Sequence, residues 1–100
     1  MSQTQNPAKT DPSDLRGVVA VDRLGRLGLI THNQDRRSMG TATGGYLWRS
    51  NNPVLLGRLS DWLQSGQTFP QWTKSRGYHG EVPEHAERRF LIRAQSMGVV

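Results

Sequence analysis

The chain has 100 residues, room for one domain and not two. It carries 13 Lys and Arg against 8 Asp and Glu, a formal charge of +5, and no cysteine. Disulfide scaffolds and Cys-based zinc sites are therefore excluded. No apolar run approaches the roughly 20 residues of a membrane-spanning helix.

Residues 1–14 contain no Leu, Ile, Val, Phe, Trp or Tyr. With nothing to bury, they read as a disordered tail. The polar start has neither the basic n-region nor the apolar h-region of a secretory signal. The lack of cysteine fits a cytoplasmic location. Residues 15–100 read as a single small α+β domain. Leu, Ile, Val and Phe total 21, so the core is small and a homodimer would bury more surface.

Residues 16–33 predict a β-hairpin. Val18 to Val21 is a short, mostly β-branched run, and Asp22 to Arg26 carries turn chemistry around Gly25. Leu27 to Thr31 returns, with Leu27, Leu29 and Thr31 on one face and Gly28 and Ile30 on the other. Residues 33–40 read as a polar loop. Residues 41–49 predict a third strand broken by Gly44-Gly45, or two very short strands joined by a turn at that pair. Asn52, Pro53 and Gly66 frame a helix over 53–65, with Leu55, Leu56, Leu59, Trp62 and Leu63 as its apolar stripe. Residues 67–82 read as irregular. Pro83 opens a second helix over 83–97, with Ala86, Phe90, Leu91, Ala94 and Met97 inward and Glu84 paired with Arg88 outside. Strands come first and helices last. The expected fold is α+β: a small antiparallel sheet of three or more strands followed by two helices.

Gly17-Val18-Val19-Ala20-Val21-Asp22, followed by Gly25-Arg26-Leu27-Gly28-Leu29-Ile30, resembles the opening of small SH3-like barrels of the KOW type. The resemblance covers residues 17–30 and departs where two helices follow. It implies a basic hairpin that contacts RNA, DNA, ribosomes or polymerase, with Arg23 and Arg26 at its tip.

The basic excess is nearly all arginine, 11 Arg against 2 Lys. Arginine suits bidentate contact with phosphate or carboxylate; a GC-rich genome gives the same bias through its codons. Arg23, Arg26, Arg36 and Arg37 fall on turns and loops, and Arg88, Arg89 and Arg93 on the last helix. In the segment 69–79, Phe69, Trp72 and Tyr78 alternate with Lys74, Arg76 and His79. Rings that stack on bases, beside cations that neutralise phosphates, hold single-stranded nucleic acid in this way. The alternative is that the rings pin the segment onto the core and the cations are merely solvated. Trp48 and Trp72 are also of the type enriched at interface hot spots.

His79, Glu81, Glu84 and His85 are metal-ligand types without a standard spacing, so no metal or cofactor is expected. Asp22, His32 and Asp35 lie near one another but fit turn chemistry, and no nucleophile or phosphate-loop motif is present. The chain reads as a non-enzyme. Two functions remain. One is a small basic module that binds nucleic acid or works in a nucleoprotein complex. The other is a protein-protein adaptor or inhibitor, of phage or mobile-element type, that binds an acidic surface of a larger enzyme. The candidate contact residues for either are Arg23, Arg26, Arg36, Arg37, Trp48, Trp72, Lys74, Arg76 and Tyr78.

Overall fold

A computed structural model of the chain describes residues 14–32, 37–41, 47–50 and 53–100. The expected tail lies outside the described residues, apart from Asp14, whose carboxylate holds the Arg16 guanidinium at 2.8 Å.

Two antiparallel strands open the fold, β1 (Val18–Val21) and β2 (Leu27–His32). Their alternation sorts side chains between the two faces of the sheet. Val19, Leu27 and Leu29 enter the main core, while Val18, Ala20 and Ile30 are buried on the other face with half-buried Leu15. β3 (Arg37–Thr41) and β4 (Leu47–Ser50) extend the sheet, and β5 (Val54–Arg58) returns beside β1. The strand order is β4-β3-β2-β1-β5, antiparallel throughout. β3 and β4 are two short paired strands rather than one strand over 41–49; β3 lies mostly inside the expected polar loop, and the expected turn at Gly44-Gly45 lies outside the described residues.

Three helices follow: α1 (Leu59–Ser65), α2 (Phe69–Ser75) and α3 (Ala86–Met97). The α+β order is as the sequence indicates, but two boundaries differ. The expected helix over 53–65 is a strand to Arg58 and a helix only from Leu59. A short apolar run such as Val54-Leu55-Leu56 does not reveal its period, and pairing with β1 decides the matter. Gly57 then has φ +151, outside any helical basin. Leu55 and Leu63, two members of the expected stripe, are exposed, whereas Leu56, Leu59 and Trp62 are buried. Arg58 offers α1 no side-chain cap; instead the Leu59 N–H donates to the Gly17 carbonyl at 2.9 Å, which ties the helix start to the sheet.

The segment expected to be irregular contains α2. Thr68 and Gln71 form a reciprocal capping box, with Thr68 Oγ1 accepting from Gln71 N–H and Gln71 Oε1 accepting from Thr68 N–H. Pro70 occupies the first turn, where its missing N–H costs nothing. α3 starts at Ala86 rather than at Pro83, whose carbonyl accepts the Ala86 N–H in a preceding turn. Its C-terminus closes with the Val99 N–H donating to the Ala94 carbonyl.

The helices pack on one face of the sheet around Phe69. Its ring lies 5.0 Å from Trp62, 5.9 Å from Phe90 and 6.1 Å from Trp72, centroid to centroid. Each such pair contributes about 0.5–1.5 kcal/mol beyond the area it buries. Trp72 reaches from α2 onto β5, where the register shifts and the backbone bulges. A Cβ at position 57 would stand 3.0 Å from Trp72 Cζ2. Gly25, at the hairpin turn, also has positive φ but would place its Cβ in open space. In urea denaturation Gly25→Ala is therefore expected to cost about 1 kcal/mol from backbone strain, and Gly57→Ala about 2–3 kcal/mol from strain plus overpacking. Equal losses would remove the Trp72 contact from this account.

Candidate functional site

The hairpin tip is built around one buried carboxylate. Asp22 accepts hydrogen bonds from Leu24 N–H at 3.0 Å, Arg26 N–H at 2.8 Å and Arg26 Nε at 2.6 Å. Burial alone would raise its pKa. The bonds from the Arg26 backbone and guanidinium, the Arg26 charge and the Leu24 N–H together outweigh burial and hold the carboxyl below its ordinary value. Arg26, nominated as a binding residue, is thus engaged in holding its own turn. Arg23 and Leu24 stand exposed at the tip.

The aromatic-basic segment divides cleanly between core and solvent. Phe69 and Trp72 are each 1% exposed, so neither ring is a platform for a base. Trp72, nominated for binding, is corrected to a core residue: its ring lies against Gly57 and next to Phe69. Arg76 sets its guanidinium 5.5 Å from the Trp72 ring centroid, so the cation stacks on the chain's own indole. Tyr78 is half-buried against the core, and its hydroxyl donates to the Glu81 carbonyl at 3.1 Å. Burial, with the Glu81 charge, raises its pKa and keeps the phenol neutral. Lys74 is exposed.

The remaining nominated residues are placed less fully. Arg36 lies outside the described residues. Arg37 begins β3 opposite Ser50, and Trp48 stands in β4 opposite Met39. The nominated arginines among the described residues thus stand on a turn, a strand and a helix end.

A different basic site appears where α3 runs beside the end of β2. A groove of about 470 Å³ opens there. From β2 come Thr31 and His32, whose Oγ1 and Nδ1 share a hydrogen bond of 2.9 Å. From α3 come Arg89, Ile92, Arg93 and Ser96, with half-buried Met97 joining the groove to the core. The α3 sequence dictates this stripe. Ala86, Phe90 and Ala94 are drawn into the core, and positions 89, 92, 93 and 96 fall together on the flank beside them. Glu87 is two residues before Arg89, so it lies about 160° round the helix on the far flank. No Asp or Glu lines the groove among the described residues. The one-turn spacing of Arg89 and Arg93 is legible in the sequence. That Thr31 and His32 face them is not, because the two segments are joined only by packing.

Among the described residues no three His, Asp or Glu groups gather as a metal site. His85 Nε2 lies 3.6 Å from Glu84 Oε2, and both side chains are exposed. Asp22 and His32, considered above for acid-base work, stand at opposite ends of β2. No helix among the described residues is long and apolar enough to cross a membrane.

The hairpin carboxylate gives a pH dependence of known sign. Its folded pKa is lowered, so its stabilisation is full above the unfolded value near 3.8 and is lost as pH falls through the folded value. Asp22→Asn is expected to cost about 1–2 kcal/mol at neutral pH and to flatten the loss of stability below about pH 4. Urea titrations of both proteins across that range check it; an unchanged acid limb would show that Asp22 is not its source. Comparison of the chain with protein-family models, curated proteins and solved structures gives no match.

Proposed function

We propose that the chain is a small, basic, non-catalytic module that binds the backbone of nucleic acid, alone or within a nucleoprotein complex. The observation that carries this reading is the groove with Arg89 and Arg93 on one wall and His32 and Thr31 on the other. Guanidinium groups are suited to bidentate contact with phosphate, and the hydroxyls of Thr31 and Ser96 add neutral hydrogen bonds. The formal charge of +5 favours encounter with a polyanion. The resemblance of residues 17–30 to KOW-type openings points the same way. The mode differs from that expected of the 69–79 segment. With Phe69 and Trp72 in the core, contact rests on cations and hydroxyls rather than on stacked rings.

One observation favours the adaptor or inhibitor reading. Ile92, 56% exposed, lines the groove with Arg89 and Arg93, and an apolar residue among basic ones also fits an acidic protein surface.

Fluorescence anisotropy with labelled single-stranded DNA, duplex DNA and RNA separates the two. At about 50 mM salt the protein should bind at least one of them at micromolar Kd or tighter, and at about 200 mM more weakly. Arg89→Ala with Arg93→Ala should lose more affinity than Lys74→Ala with Arg76→Ala. Absence of binding to all three at low salt rejects the nucleic-acid reading.

A further inference from the structure

We propose that the turn between β1 and β2 is a rigid protein-binding tip, with Leu24 as its apolar anchor and Arg23 beside it, and that it fits a partner surface whose apolar pocket is bordered by carboxylates. The tip precedes β2 and the groove lies at the far end of that strand, so the two sites are separate. The inference does not depend on nucleic-acid binding at the groove.

Three observations carry it. The first is rigidity. The Asp22 carboxylate accepts three hydrogen bonds, its carbonyl accepts the Gly25 N–H at 2.9 Å, and its N–H donates to the Arg26 carbonyl at 3.0 Å. Gly25 supplies the positive φ of 83° that closes the turn. A tip held in this way has little left to order when it binds.

The second is that the turn has no need of a leucine. Asp22 and Gly25 meet its chemistry, and Leu24 contributes to it through its N–H. The Leu24 side chain is 73% exposed, the most of any large hydrophobic among the described residues. A single exposed leucine is ordinary on a protein surface. Here Val54, 64% exposed, stands at the same end of the sheet, opposite Val21 and next to the turn.

The third is charge, which selects the partner. Arg26 balances the Asp22 carboxylate, and exposed Arg23 adds a cation beside Leu24. A second copy of the chain, itself at +5, would meet the tip with like charge. A phosphate backbone would pair with Arg23 but leave Leu24 and Val54 in water. A lipid surface would gain the burial of two short side chains, far less than a single acyl chain, which itself anchors only marginally. A pocket in an acidic protein surface takes up the leucine and offers the guanidinium a carboxylate.

The probe is a displayed library of random peptides selected on the full chain. The enriched peptides should combine aliphatic or aromatic residues with Asp or Glu. Synthesised with a fluorophore, they are titrated against wild type, Leu24→Ser, Leu24→Met and Arg23→Ala, with circular dichroism confirming the fold of each variant. Leu24→Ser should weaken binding by about tenfold or more, the loss expected of an anchoring side chain. Leu24→Met should retain most of the affinity, since it keeps an apolar side chain of similar volume. Arg23→Ala should weaken binding severalfold at low salt and less at high salt. Failure to enrich any peptide, or enriched peptides indifferent to Leu24→Ser, overturns the inference. Labelled oligonucleotides are titrated against the same variants. If Leu24→Ser and Arg23→Ala weaken oligonucleotide binding and no peptide binding, the tip belongs to a nucleic-acid surface and the inference falls.

Discussion

The contact of Trp72 with Gly57 decides how the helices lie on the sheet. β5 can bring its backbone under the indole only because position 57 has no Cβ, and only because the bulge there tolerates φ +151. With Trp72 seated, Phe69 stands one turn earlier on α2 and meets Trp62 and Phe90. One ring therefore links α1, α2 and α3. The aromatic cluster is concentrated on a single face, which is how a chain with only 21 Leu, Ile, Val and Phe residues builds a main core.

That use of the aromatics has a consequence for function. Rings buried to hold the helices cannot also stack on a ligand, and the cations of the same segment are left outside. Arg76 returns to cover Trp72, and Arg26 is held by Asp22. Two of the arginines that stand out in the sequence thus serve the fold. The basic residues that gather around a recess are on α3, where core packing of Ala86, Phe90 and Ala94 turns Arg89 and Arg93 towards the end of β2. The site arises beside the core because the helix must put its small and aromatic residues inward.

Legibility followed the range of the interactions involved. The hairpin was readable because its causes are local: β-branched alternation, an Asp that bonds to the next few amides, and a glycine at the turn. α3 was readable because its apolar stripe is long enough to show its period. α2 is legible in principle, since Thr68 and Gln71 stand at capping-box spacing, but the aromatic-basic alternation of the same segment fits a stacking surface equally well. β5 was not readable as a strand. Asn52-Pro53 and the leucines that follow fit a helix start as well as they fit an edge strand.

The sequence by itself determined a single small domain, strands before helices, a basic surface and a core short of aliphatic residues. These depend on composition and on neighbours a few residues apart. Tertiary structure decided that Val54 to Arg58 pairs with β1, that Phe69 and Trp72 turn inward, and that Thr31 and His32 meet α3. Each of those outcomes compares the burial of one surface with another far along the chain. The free-energy difference exists only once both partners are folded, so no local pattern records it.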